Sequence, residues 1–195
     1  RARARGPRFR GVRARHRRDG GLGGSVMKTL SMVVAAVSLL MAAGMAGIFF
    51  AFSNSVMPGL NAARPTSAIE TMQTINDKIQ NPLFLLTFVG VPVAAAVAGG
   101  LLLASGERSA ALLFFAAAAV YVLGSFLPTA VVNVPLNNTL DGTAIPSDLE
   151  EAGRIWTDYS SRWTPWNHLR AVASGVSVLL IGAGLYVFGR NGAGS

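Results

Sequence analysis

One short stretch, Trp163-Thr164-Pro165-Trp166-Asn167-His168-Leu169-Arg170, gathers many of the side chains in this chain that could do chemistry. His168 is the single histidine after residue 26, and imidazole is the side chain suited to exchange protons near neutrality, so His168 is the candidate general base. Asn133, Asn137 and Asn138 lie upstream, and the segment between carries Trp156 and Tyr159. If the two ends of this segment meet, the amides, Arg170 and the rings of Trp156, Tyr159, Trp163 and Trp166 would converge on one pocket. Simpler readings stand beside this one. Trp and Tyr anchor proteins at membrane interfaces by their amphipathic rings alone. Asn133 can satisfy carbonyls freed near Pro135, and Arg170 can snorkel to a lipid phosphate.

The elements that would position these residues are set by composition. Of 195 residues, 51% are hydrophobic and 13% charged, with positive mean hydropathy, a mix that points to a membrane solvent. The formal charge of +8 sits at one end. Residues 1–26 hold nine basic residues and one acidic residue, Asp19, which leaves the body from Met27 neutral. Nucleic acid is therefore not an expected partner. The Arg-rich segment 1–26 lacks apolar periodicity and is expected to be disordered, either as a polybasic arm or as sequence upstream of a natural start at Met27.

Four apolar segments are long enough to cross a bilayer as helices: about 30–52, 82–105, 109–132 and 165–188. The membrane domain thus covers 27–190, followed by a tail over 191–195. Gly106, Glu107 and Arg108 alone link spans two and three, which forces an antiparallel hairpin. Pro92 is placed to kink span two. Span four is expected to start with Thr164 as N-cap and Pro165 in the first turn. The small-residue pairs Ala43/Gly47, Ala95/Gly99 and Ala171/Gly175 would permit close helix approach. The fold class is all-α: a four-helix transmembrane bundle with two amphipathic loop helices on one side.

Both loop helices announce themselves by capping boxes, Ser67-Ala68-Ile69-Glu70 and Ser147-Asp148-Leu149-Glu150. In the first, Ile69, Met72 and Ile79 form an apolar face that also carries Asn76, which is expected to be a buried amide. In the second, Leu149, Ala152, Trp156, Tyr159 and Trp163 recur at spacings of 3, 4, 3 and 4, a stripe expected to lie over the bundle mouth or flat at the interface.

Several function classes are disfavoured. The absence of cysteine excludes thiolate chemistry and disulfides. A lone histidine in the body cannot supply paired haem ligands. Acidic residues occur only in loops, which argues against transport of charged solutes. No metal-binding or phosphate-binding motif is present.

Four strings carry a resemblance: Phe50-Ala51-Phe52-Ser53-Asn54-Ser55-Val56-Met57-Pro58-Gly59-Leu60, Met72-Gln73-Thr74-Ile75-Asn76, Asn133-Val134-Pro135-Leu136-Asn137 and Trp163 through Arg170. In this order, over about residues 30–188, the chain resembles the anthrone oxygenase-like membrane family. The resemblance implies a small four-span protein, some of whose fungal relatives oxidise polyketide anthrones to anthraquinones with molecular oxygen and no known cofactor. On that footing His168 would take a carbon-bound proton, and Arg170 and Asn137 would stabilise the resulting anion. Trp156, Tyr159, Trp163 and Trp166 would stack on a polycyclic aromatic substrate, with Asn76, Asn133 and Asn167 completing the contacts. The alternative is a non-catalytic protein whose aromatic loop binds a lipid, a quinone-like molecule or a partner protein. The expected location is multi-pass in a bacterial plasma membrane, in contact with lipid, with both termini cytoplasmic.

Overall fold

The computed structural model describes residues 12–193, with side chains from Gly24 to Asn191. The described residues are almost wholly helical. Helix α1 (Val12–Ala51) passes through a π-helical turn, Phe52–Val56, into α2 (Met57–Ala62). Helix α3 (Pro65–Ile79) follows, then α4 (Pro82–Ala104) and α5 (Arg108–Tyr121). Two further π turns, Val122–Phe126 and Thr129–Asn133, lead into α6 (Val134–Asp141), and α7 (Leu149–Ala193) completes the chain.

Four continuous helical stretches are long and apolar enough to cross a membrane: Gly24–Ala62, Pro82–Ala104, Arg108–Asp141 and Leu149–Asn191. Packing runs around a ring, α1 on α4, α4 on α5, α5 on α7 and α7 on α1. The bundle interior is built from small residues, Ala35, Ala42, Ala95, Ala98, Ala110 and Ala117, around Met45, Phe114 and Tyr121. Large aliphatic side chains point outward instead: Leu40, Leu83 and Leu179 are 72%, 74% and 72% exposed. That inversion of the soluble pattern fits a lipid solvent, where helices associate by close approach rather than by hiding apolar surface. The α4–α5 hairpin closes at Gly106, whose φ of +83° is one an L side chain rarely adopts, while Glu107 N donates to Leu102 O.

Above one end of the bundle, α2, α3, α6 and the first turns of α7 form a second core. Met57, Ile69, Met72, Leu136, Leu140, Ala152, Trp156, Tyr159 and Trp163 pack there. Gln73 Nε2 donates to the carbonyls of Leu140 and Thr143 at 2.8 and 2.9 Å, stitching α3 to the end of α6. The two loop helices thus make a cap with its own core. The stripe on α7 is buried from Ala152 to Trp163, although Leu149 is exposed.

Several expected boundaries move. Helix α1 is described from Val12, since extending an existing helix needs no new nucleus; residues 1–11 of the Arg-rich segment lie outside the described residues. Ser67 does not cap α3. The helix starts at Pro65, whose ring suits the first position and holds Arg64 extended at ψ 135°. At the start of α7 the cap is Asp148, whose Oδ1 accepts from Glu150 N at 3.0 Å, in place of Ser147. Thr164 and Pro165 do not begin a helix, because the second loop helix and span four are one rod. There Pro165 deletes a single backbone bond inside the helix. Of the small-residue pairs, Gly99 meets a neighbour, with a Cβ built there 2.9 Å from Phe115, whereas Gly47 and Gly175 face open space. Gly124 makes another tight approach, against Ala173 Cβ.

Candidate functional site

Each of the three π turns ends two residues before a proline: Phe52–Val56 before Pro58, Val122–Phe126 before Pro128, and Thr129–Asn133 before Pro135. A proline inside a helix lacks an N–H and collides with the carbonyl four residues back, and a widened turn relieves both problems. The widened turns carry Phe52, Ser53, Ser125, Thr129 and Asn133, all on the inner side near α7.

The facing surface of α7 follows helical phase. Trp163, Asn167, Arg170, Ser174 and Ser177 fall on one face, at spacings of 4, 3, 4 and 3, and all are buried. Asn167 Nδ2 donates to Phe49 O at 2.9 Å and Ser53 Oγ at 2.8 Å, tying α7 to the end of α1. Its Oδ1 accepts from Arg170 Nη2 at 2.7 Å. Arg170 Nη1 reaches Thr129 Oγ1 at 3.2 Å. The guanidinium carbon lies 4.5 Å from the Phe49 ring centre and 5.0 Å from that of Trp163. Arg170 is only 5% exposed, and its Nε is buried without a partner. Among the described residues no carboxylate pairs with it, since the ion pairs are Lys78–Asp77, Arg154–Glu151 and Arg162–Asp158. A buried cation held by an amide, a hydroxyl and two ring faces has no compensating charge, the arrangement that favours an anionic or electron-rich occupant.

A cavity of about 340 Å³ opens beside this group, between the cap and the bundle. Phe49, Phe52, Phe84, Phe88 and Trp163 supply aromatic walls, and Asn76, Asn133, Asn137, Asn138, Asn167 and Arg170 supply polarity. The lining holds no Asp, Glu, His, Lys, Cys or Tyr. Asn133 Nδ2 donates to Trp163 O at 3.2 Å, leaving Oδ1 buried and unpartnered. Asn137 Oδ1 accepts from both Tyr159 Oη at 2.9 Å and Trp163 Nε1 at 2.8 Å. An apolar groove between α1 and α4, lined by Leu40, Met41, Gly44, Leu83 and Thr87, shares Ile48, Ile79 and Phe84 with the cavity. Among the described residues no three His, Cys, Asp or Glu side chains come together as a metal site.

The structure therefore brings Asn76, Asn133, Asn137, Trp163, Asn167 and Arg170 to one cavity. Tyr159 stands behind Asn137 without lining it, and Trp156 is a cap-core residue whose Nε1 donates to Asn61 Oδ1 at 2.9 Å. His168 and Trp166 do not line it. Each is one residue from Asn167, hence rotated about 100° around the helix, and both are exposed. That geometry places His168, expected as a base, and Trp166, expected as a stacking wall, outside this pocket. Phe49, Phe52, Ser53 and Thr129 are the contributors that residue-by-residue reading missed. The phase from Trp163 through Asn167 to Arg170 was available in the sequence, and would have turned His168 away.

A small-residue bundle of four long apolar helices, capped at one end over an aromatic cavity with a buried cation, defines a helical protein of membrane type. The sequence model of the anthrone oxygenase family matches residues 83–180, half of the chain, and the chain belongs to that family. The matched stretch contains Thr129, Asn133, Asn137, Trp163, Asn167 and Arg170, whereas Phe49 and Asn76 come from outside it. No curated protein and no solved structure matches the chain.

Proposed function

We propose that the cavity binds a flat, oxygen-bearing polycyclic aromatic molecule of the anthrone type and promotes its oxidation by molecular oxygen. The observation that carries this reading is the buried Arg170 guanidinium, without a carboxylate partner, set between two aromatic faces at the wall of the cavity. An anthrone becomes reactive to oxygen once its ring methylene loses a proton and the charge spreads onto the carbonyl oxygen. A fixed cation beside that oxygen stabilises the anion as it forms. The methylene carbon then takes one atom of oxygen as a new carbonyl, and the other leaves as water with the two hydrogens. With no carboxylate, imidazole or amine in the lining to take the proton, the chain's contribution is to stabilise the anion through Arg170 while the proton passes to water. The groove between α1 and α4 offers a membrane-dissolved substrate an apolar approach.

The test is oxygen uptake, together with quinone absorbance, when purified protein in detergent receives an anthrone. Uptake above the spontaneous rate supports the reading. A lining without carboxylate, imidazole or amine favours one rival, reversible binding of the same kind of molecule; quenching of tryptophan fluorescence without added oxygen uptake would establish it instead.

A further inference from the structure

Asn76 lies in the last turn of α3, 1% exposed, and its two polar atoms have different fates. Nδ2 donates to Asp141 Oδ1 at 2.9 Å, while Oδ1 is buried without a partner. A carboxylate only accepts hydrogen bonds, so Asp141 fixes which way the amide faces. What Asn76 has left for an occupant of the cavity is an acceptor. Asn133 is held the same way, its Nδ2 committed to the Trp163 carbonyl and its Oδ1 unpartnered. Asn137 is held the opposite way, because a tryptophan N–H only donates, and the amide oxygen it occupies leaves an NH₂ for the cavity. The lining thus carries two orphan acceptors on one hand, and an amide donor with a guanidinium on the other.

We propose that Asp141, which does not line the cavity, is a positioning residue that sets ligand selectivity by locking the polarity of Asn76. With the lock in place the Asn76 wall prefers a ligand hydroxyl, a donor, over an ether oxygen, which would leave Asn76 Oδ1 buried and unpaired. The proposal rests on the reading that the cavity takes a flat aromatic molecule. It separates Asp141 from simple adhesion of the cap, because Gln73 already ties α3 to the end of α6 through two carbonyls.

Asp141→Asn supplies both a donor and an acceptor, so the Asn76 amide can turn to suit either ligand. Two non-reacting probes, 2-hydroxyanthraquinone and 2-methoxyanthraquinone, are titrated by tryptophan fluorescence against the full chain in detergent. Wild type binds the hydroxy probe about tenfold more tightly, the worth of one buried hydrogen bond. In Asp141→Asn the ratio falls to about twofold or less, chiefly by a gain for the methoxy probe, as expected once the amide can turn to donate. Gln73→Ala, which loosens the same helix contact without touching the lock, keeps the wild-type ratio. Ring bulk alone cannot produce this pattern, since it is the same in every variant. An unchanged ratio in Asp141→Asn with both probes still binding overturns the role of Asp141 while leaving the cavity reading intact. Failure of wild type to bind either probe overturns both.

Discussion

Arg170 Nη2 lies 2.7 Å from Asn167 Oδ1, one turn away on the same buried face of α7, and through Asn167 it is joined to Phe49 O and Ser53 Oγ of the first span. Asn167 is thus both the bolt between two spans and the neutral partner of the buried cation. Replacing it by alanine strands Phe49 O and part of the guanidinium. The expected cost is about 2–4 kcal/mol, one to two unsatisfied buried groups, read as a lower thermal midpoint in detergent. Asn167→Asp tests the other half of the role. It supplies Arg170 with a counter-charge but, since a carboxylate only accepts, strands Phe49 O as alanine does, so at matched folded fraction binding of an anionic aromatic should weaken at least tenfold. An Asn167→Asp protein that binds such ligands as well as wild type would contradict the role of the unpaired cation.

His168 is exposed one residue away from Asn167 and touches no wall of the cavity. His168→Ala is expected to retain oxygen uptake within about twofold of wild type, as for surface substitutions away from a site. A loss of tenfold or more would restore an imidazole to the chemistry.

The prolines behind the π turns set where Thr129 and Asn133 stand. Pro135→Ala returns an N–H to the helix and removes the reason for the wide turn at Thr129–Asn133. Reversion to a regular α turn would rotate Asn133 relative to Asn137 and pull both out of register with Trp163. The expected result is unchanged helix content by circular dichroism with ligand affinity reduced about tenfold or more, the cost of misplacing one buried hydrogen bond. Wild-type affinity would show that the π turn is incidental.

Gly124 and Gly175 predict opposite outcomes from the same substitution. A Cβ at Gly124 runs into Ala173 Cβ, whereas one at Gly175 meets nothing within 4 Å. Gly124→Ala should cost about 1–3 kcal/mol through forced separation of the Val122–Phe126 turn from α7, while Gly175→Ala should be neutral or mildly stabilising. Thermal melts of the two variants in one detergent make the comparison.

Much of this architecture can be read from residue order, for physical reasons that differ by element. Uncharged length fixes the spans, because a bilayer demands it. The phase of Ile69, Met72 and Asn76 on α3 correctly buries Asn76, because an amphipathic helix has one inward face. Thr164-Pro165 misleads because the same pair suits a helix start and is tolerated within a helix, and only the packing of Trp163 and Asn167 on either side decides between them. The site was half legible. Asn133, Asn137, Asn167 and Arg170 cluster near the ends of one loop, but Phe49 and Ser53 approach Arg170 and Asn167 from more than a hundred residues away, through tertiary packing that no local pattern announces. The π turns have a local signal, the proline two residues beyond each, which gains meaning once two of them, Phe52–Val56 and Thr129–Asn133, contribute walls to one cavity.

The role of Arg170 is the centre of this account, and Arg170→Gln tests it most directly, since the amide can still reach Thr129 or Asn167 but carries no charge. Initial rates of oxygen consumption with an anthrone are compared between wild type and Arg170→Gln at matched folded fraction. The expected result is a fall in kcat of about 10²–10³, in line with removing a group that stabilises a developing oxyanion, with a smaller change in KM. An Arg170→Gln protein that consumes oxygen at the wild-type rate would contradict the account.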